Sequence, residues 1–276
     1  MSADLAVALR VYPGISKRPF ISGCAKLDLV TAGLESFISA LGGCRPELWC
    51  LLDGCPPEYE KRIREIVGHL KPTFIFLPGV GNRASFSAQL NILLRTNAPV
   101  VYFAEDDYVY LPKAVERGAR LFEEADWADY ATLYDHPDLY EEALHQYPSE
   151  IRVAAGYHWR SIASTCLTLF ARRETLIRDR RVFETFAQGN YDVSMWMSLT
   201  RLPAIGVGHA VKATVKRELL PLKALTKLAR FGIARWLMGP RRQLWSPVPT
   251  LATHMESSRL APGVDWHAHF RLAESK

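Results

Sequence analysis

The stretch APVVYFAEDDYVYLP, residues 98–112, decides how the rest of the chain is interpreted. Its first seven residues are almost all apolar, which predicts a buried strand. The strand then meets three consecutive carboxylates, Glu105, Asp106 and Asp107. Adjacent acids repel one another, so they fit either a turn in water or a site with a cation among them. The neighbouring sequence has to distinguish these two cases.

Strand and helix patterns alternate four times in the first half of the chain. Apolar runs are followed by amphipathic segments, with Gly, Pro or Asn at the boundaries. The predicted strands are 5–13, 46–54, 72–79 and 98–107, and the predicted helices are 29–43, 56–70, 82–97 and 111–125. This order predicts a parallel sheet covered by helices on both faces.

Ligands of such sheets bind outside the carboxyl ends of the strands. The residues predicted at those ends are Tyr12, Asp53, 79–83 and the three acids 105–107. The sequence contains no GxGxxG, GxxxxGK[ST] or GxSxG motif, which argues against the usual dinucleotide, P-loop and hydrolase sites. At this edge a metal site is favoured over a solvated turn, because Mg²⁺ and Mn²⁺ prefer oxygen ligands and are often completed by substrate phosphates.

The second half is less regular and contains a basic block, residues 211–245. Strands are predicted at 129–137 and 164–173, and helices at 174–190 and 191–202. The block has nine Lys or Arg and one acid, so it carries +8 while the remainder carries −3. Two hypotheses stay open for it: an interfacial helix on anionic lipid, or a packed helix pair with a solvated basic face. It lacks a clear nucleic-acid-reading element, so no nucleic acid is expected.

Composition indicates a globular protein of one large or two small domains. The 276 residues are 49% hydrophobic and 23% charged. Five cysteines without a CxxC pair or a zinc spacing favour a reducing cytosol. The N-terminal residues predict a strand instead of a signal peptide, and no run is long enough to span a bilayer. We therefore expect a cytoplasmic protein, with peripheral attachment to the inner face of the membrane if the block binds lipid.

The order of elements, and FAEDDYVYLP (103–112) in particular, resembles nucleotide-sugar glycosyltransferases of the GT-A fold, close to family 2 and its small bacterial and phage-type members. The resemblance covers about residues 5–210 and 245–266. It implies an α/β, Rossmann-like GT-A fold with a mixed, mostly parallel sheet flanked by helices. In that single domain the nucleotide-binding half is 1–125, the acceptor half 126–210, the basic helical segment 211–245 and the closing segment 246–276.

The resemblance also implies a metal site for Mn²⁺ or Mg²⁺. EDD is similar to the family's DxD motif, with Asp107 as the main ligand and Glu105 facing the ribose or, through water, the metal. His254 takes the place of a C-terminal metal or diphosphate ligand. Strand alternation puts Glu105 and Asp107 on one side and Asp106 on the other. Asp106 is then expected to be the most structural of the three, within the nucleotide-sugar site.

Other site residues follow from the same resemblance. The predicted nucleotide contacts are Arg10, Tyr12, Asp53, Asn82 and Arg83, and the predicted sugar or diphosphate contacts are His158, Trp159 and Arg160, for which a core role is equally open. Asp192 opens a helix where the family has an acid pair, although Tyr191 replaces the Glu. It is the candidate base for an inverting reaction; the alternatives are a helix N-terminal acid or a residue that positions the sugar.

The predicted function is a metal-dependent transfer of a sugar from a nucleotide-sugar donor, first of all a UDP-sugar, to a hydroxyl of a glycan or lipid-linked acceptor. One alternative is a nucleotidyltransferase on a related sheet, supported by Lys17 and Arg18 but weakened by the single glycine before them. Another is a non-catalytic membrane-associated binding protein. The sequence leaves the donor sugar, the acceptor, the stereochemistry and a homo-oligomeric state open.

Overall fold

The computed structural model describes residues 4–15, 18–21, 23–141, 147–202 and 219–274. Lys17 and residues 211–218 of the basic block lie outside the described residues. The strands are β1 Leu5–Val11, β2 Glu47–Asp53, β3 Thr73–Leu77, β4 Val100–Glu105, β5 Tyr108–Tyr110, β6 Tyr130–Ala131, β7 Ile151–Ala154, β8 Tyr157–Ile162, β9 Leu169–Arg172, β10 Leu244–Val248 and β11 Ala252–His254. The helices are α1 Lys26–Leu41, α2 Pro57–Val67, α3 Gly81–Arg95, α4 Ala114–Glu124, α5 Asp138–Glu141, α6 Arg173–Ala187, α7 Asp192–Thr200, α8 Leu219–Phe231, α9 Ile233–Met238 and α10 Trp266–Glu274.

Nine strands form one mixed sheet in the order β3-β2-β1-β4-β9-β6-β10-β8-β7. Strands β9 and β8 run antiparallel to their neighbours, and the other strands all point the same way. The predicted fold class, a mostly parallel α/β sheet flanked by helices, is confirmed. The carboxyl ends of β1, β2, β4, β6 and β10 consequently meet at one edge, together with the amino ends of β8 and β9.

The sheet is buried on both faces because its strands are apolar at successive positions. Along β1, Leu5, Val7 and Leu9 belong to one core with α1, α2 and α4. Ala6 and Ala8 face a second core, to which α3, α6 and α7 contribute. This two-sided burial is what the alternating pattern of the first half predicts.

The four strands and four helices predicted for the first half are all present, with shifted ends. The second half departs further from expectation. The predicted strands 129–137 and 164–173 shorten to β6 and β9, and β5, β7, β8, β10 and β11 were not predicted. These strands have two to six residues, and β5, β6, β10 and β11 pair with strands that are distant in the chain, so no local pattern marks them. Strands β7 and β8 instead form a local hairpin across residues 155–156.

A second sheet of two strands places the C-terminal segment next to the three acids 105–107. Strand β11 pairs antiparallel with β5, and His254 stands opposite Tyr108. The backbone N–H of Met255 donates to the carbonyl of Asp107 at 2.7 Å. The C-terminal segment is thereby placed directly beside the turn that follows β4.

The described part of the basic block forms α8, α9 and the start of β10. Two of its cations are used inside the fold, since Arg235 and Arg242 form ion pairs with the buried Asp179 of α6 at 3.1 and 2.7 Å. Tyr130 also donates to Asp179, at 2.8 Å. None of the helices among the described residues is long and apolar enough to cross a membrane.

Candidate functional site

Glu105 ends β4 and is paired with a cation. Arg10 of β1 forms an ion pair with one carboxylate oxygen, and Thr168 donates to the other at 2.8 Å. Arg10 is 9% exposed and also donates to the Asn82 carbonyl at 2.8 Å. The structure thus uses Arg10 to hold Glu105 and the start of α3, and its contact with a nucleotide base stays a prediction.

Asp106 has a structural role. It accepts from Lys26 Nζ at 3.1 Å and from the Tyr12 backbone N–H at 3.0 Å. Burial raises the pKa of this carboxyl to about 6, against the opposing effect of Lys26. Asp106 therefore joins β1 and the first turn of α1 to the turn after β4. Its part in nucleotide-sugar binding stays a prediction.

Asp107 lies in the turn after β4, which ends two residues earlier at Glu105, so the strand alternation expected to pair the two acids does not reach Asp107. It is paired instead with His254, whose Nε2 lies 3.0 Å from Asp107 Oδ2. Burial alone would raise the pKa of Asp107, but the hydrogen bond and charge of His254 bring it below its usual value. Burial would lower the pKa of His254, and the bond to Asp107 raises it. The two predicted metal-site residues therefore form one ion pair.

Two buried atoms of this pair have no hydrogen-bond partner among the described residues: Asp107 Oδ1 and His254 Nδ1. Within the same part of the chain, no three His, Cys, Asp or Glu side chains are arranged to hold a metal ion. The donor set fits a cation that takes one carboxylate from the protein and its remaining ligands from water and a phosphate-bearing substrate. It does not fit a closed structural site.

Asp53, at the end of β2, is 1% exposed. Its two carboxylate oxygens accept from the backbone N–H groups of Val80 and Gly81 at 2.7 and 2.8 Å. These bonds fix the loop from β3 into α3. The structure gives Asp53 this supporting role, and its contact with a base or ribose stays a prediction.

Three of the predicted nucleotide contacts, Tyr12, Asn82 and Arg83, are open to solvent. The Tyr12 side chain is 53% exposed at the end of β1. Arg83, in the first turn of α3, is exposed. Its guanidinium lies beside Gly189 in the loop before α7, 3.7 Å from where a Cβ added to that glycine would lie. No described residue forms an ion pair with Arg83. These side chains flank the acids, with one aromatic face and one cation available to a ligand.

Asp192 opens α7 and accepts from the Val193 backbone N–H at 2.7 Å. Burial raises the pKa of the Asp192 carboxyl, and the charge of Glu105 adds to the shift. Burial, followed by the charges of Asp192 and Glu105, raises the pKa of the Cys166 thiol to about 12. Asp192 and Glu105 therefore face one region of the edge.

Residues 158–160 lie at the amino end of β8, on the same sheet edge but several strands away from β1 and β4. Trp159 is fully buried and its indole N–H donates to the Ala154 carbonyl at 3.0 Å, so it is a core residue and not the predicted sugar contact. Arg160 donates to Asp135 at 2.7 Å, and His158 is exposed. A cavity of about 320 Å³ opens beside Asp135, Tyr140 and Pro249, at the ends of β6 and β10.

Sequence reasoning missed two residues that hold the acids in place. Lys26 lies ahead of the predicted start of α1, and its partner is 80 residues away. Thr168 lies in a predicted strand, where nothing in the local pattern marks it as a partner of Glu105. Both contacts depend on the tertiary arrangement, so the sequence carried no local signal for them.

No protein-family model matches this chain, and no curated protein is similar to it in sequence. Several solved structures are similar at a low level. A cytidylyltransferase from Leptospira borgpetersenii is 8% identical with a TM-score of 0.35, and the match covers 64% of each chain. A putative nucleotide-diphospho-sugar transferase from Desulfovibrio desulfuricans G20 is 13% identical with a TM-score of 0.42, covering 70% of this chain and 72% of that one. S. aureus TarS, in a complex with UDP, is 14% identical with a TM-score of 0.41, covering 72% and 54%. Similarity at this level does not assign a function to the chain.

Proposed function

We propose that this chain is a glycosyltransferase that binds a nucleotide-sugar donor, first of all a UDP-sugar, at the carboxyl edge of β1, β2 and β4. The unpartnered Oδ1 of Asp107 carries the proposal. A buried polar atom without a partner costs about 1–3 kcal/mol, and more when it is charged. A divalent cation shared with a diphosphate would remove that cost at the edge where α/β sheets bind ligands.

Two exposed side chains suit the rest of the donor. The open face of Tyr12 can stack on a base, and the Arg83 guanidinium can bind phosphate oxygens in a bidentate way. Asp107, with His254 behind it, would hold Mn²⁺ or Mg²⁺. When bound, such an ion supplies Lewis-acid stabilisation of the negative charge on the leaving diphosphate.

Asp192 is the proposed general base. It would take the proton from the acceptor hydroxyl while that oxygen forms a bond to the anomeric carbon of the donor sugar. The bond between that carbon and the diphosphate oxygen breaks, and its electron pair leaves with the diphosphate. A raised pKa makes Asp192 a stronger base than an ordinary aspartate, which suits this task.

The cavity beside Asp135 and Tyr140 is the proposed acceptor site. It lies at the ends of β6 and β10, on the same sheet edge as the acids. Arg160 packs on the Tyr140 ring at 4.4 Å from the ring centroid and binds Asp135. The Tyr140 ring is 49% exposed and suits the apolar face of a sugar.

Donor hydrolysis tests this function without knowledge of the acceptor. The chain is incubated with Mn²⁺ and, in turn, UDP-glucose, UDP-N-acetylglucosamine and GDP-mannose, and the released nucleoside diphosphate is measured. We expect release from at least one donor, loss of release in Asp107→Ala, and normal release in Asp126→Ala, where the carboxylate is fully exposed. Absence of release together with absence of any donor-induced shift in melting temperature would contradict the proposal.

A further inference from the structure

Helix α9 exposes a compact apolar surface, which we call the α9 patch. It consists of Ile233, Trp236, Leu237 and Met238, which are 43%, 39%, 61% and 80% exposed. Single exposed apolar residues are ordinary on a protein surface, but a contiguous group marks an interaction site. The donor and acceptor regions described above do not use these side chains.

The α9 patch is held outward by buried contacts on the other side of its helix. Arg235 and Arg242 bind Asp179, whose side chain is 3% exposed. Arg201 donates to the carbonyls of Leu237, at 3.3 Å, and of Gly239. These contacts fix both ends of α9, so the patch is a presented surface of the fold.

The surroundings of the patch are cationic. Lys223 and Arg230 on α8 and Arg241 just after α9 are exposed. No Asp or Glu occurs between Leu219 and Trp245. Arg235 and Arg242 are paired inside the fold with Asp179 and Asp129, and Lys227 is half-buried. The exposed charge of residues 219–245 therefore belongs to these three side chains. A partner that covers the patch must therefore combine an apolar interior with negative charge at its rim.

We propose that the α9 patch docks on an anionic membrane surface. Its apolar side chains would enter the boundary between headgroups and acyl chains, where Trp is favoured, and the three cations would contact lipid phosphates.

Co-flotation of the full chain with vesicles tests the docking. We expect flotation with an equal mixture of phosphatidylcholine and phosphatidylglycerol, and much less with phosphatidylcholine alone. The double variant Leu237→Ser with Met238→Ser should bind at least about tenfold more weakly. Arg230→Gln with Arg241→Gln should bind about 30-fold more weakly, because each cation near such a surface contributes about fivefold.

Matched variants keep the test specific. Ile151→Ser with Val153→Ser removes two equally exposed apolar side chains of β7, and Lys61→Gln with Lys71→Gln removes two cations at the opposite edge of the sheet. Both should float like the wild type, and all variants should keep the wild-type melting temperature. Failure of the wild type to float would overturn the proposal, as would equal binding by the α9 and control variants. Concentration-dependent dimers that the α9 variants abolish, without flotation, would assign the patch to a second copy of the chain.

Discussion

Tyr12 illustrates how one side chain at the sheet edge depends on its neighbour. A Cβ added to Gly14 would lie 2.4 Å from Cε1 of the Tyr12 ring. Any larger residue at position 14 would therefore clash with the Tyr12 ring in its present position. Since the ring is 53% exposed, it could move aside at little cost in stability.

We predict that Gly14→Ala weakens UDP binding as much as Tyr12→Ala does. Stacking of a base on an aromatic ring is worth about 1–3 kcal/mol, or roughly 5–150-fold in affinity. Calorimetric titration with UDP measures the effect, and Tyr12→Phe is the control that should keep wild-type affinity. Unchanged affinity in both Gly14→Ala and Tyr12→Ala would remove Tyr12 from the donor site.

Asp192 gives a second prediction at this scale. Asp192→Asn should reduce transfer or donor hydrolysis by about 10²–10⁴-fold, as loss of a general base does, and leave UDP affinity unchanged. In the wild type the base works when ionised, and burial raises its pKa. The rate should therefore fall on acidification at a higher pH than an ordinary aspartate would give. A pH–rate profile with its acidic limb at the ordinary value, or near-normal turnover of Asp192→Asn, would exclude Asp192 as the base.

The site residues predicted from the sequence differ in how far their contacts in the structure agree with the prediction. Asp107 and His254 were both assigned to the metal site, and the structure brings them together across 147 positions of the chain. Asp53 was predicted at the correct sheet edge, where it fixes a loop. Trp159 was predicted as a sugar or diphosphate contact or as a core residue, and in the structure it is buried. A sequence shows that a carboxylate follows a strand, but it does not show which backbone amides will occupy that carboxylate.

At the scale of elements, the first half follows from the sequence because its strands are long and apolar and its helices are amphipathic. Strand β6 has two residues and pairs in parallel with β10, with Leu244 opposite Tyr130. Such short strands are stabilised by partners more than a hundred residues away. Local periodicity therefore carries little information about their bounds: β6 and β9 were predicted too long, and β5, β7, β8, β10 and β11 were not predicted. The mixed character of the sheet was predicted correctly.

Asp179 of α6 binds Arg235 of α9 and Arg242 of the loop that leads into β10, and this network gives a stability prediction. Asp179→Ala would leave Arg235 and Arg242 without their buried partner, so we expect the free energy of unfolding to fall by about 3–5 kcal/mol. Denaturant unfolding measures the change, with the exposed Asp126→Ala as a control of nearly zero effect. A loss below about 1 kcal/mol would show that this network does not anchor α9.

At the scale of the whole molecule, one sheet edge brings together the parts of the proposed reaction. Tyr12, Arg83 and Asp107 lie at the β1–β4 end, and the cavity beside Asp135 lies at the β6 and β10 end. The charges of Glu105 and Asp192 both raise the pKa of the Cys166 thiol, so both carboxylates lie near that residue. Part of the uneven charge of the sequence has a structural explanation, because Arg235 and Arg242 of the basic block anchor α9. Lys223, Arg230 and Arg241 of the block are exposed.

The central claim is that Asp107 helps to bind a metal–diphosphate unit, and calorimetric titration of UDP with and without Mn²⁺ tests it most directly. We predict that Mn²⁺ tightens UDP binding to the wild type by at least about 10–100-fold, the range that even outer-shell partners of metal sites contribute. Asp107→Asn should lose this metal dependence while Asp126→Asn keeps it. Equal UDP affinity with and without Mn²⁺, or an unchanged metal dependence in Asp107→Asn, would contradict the account.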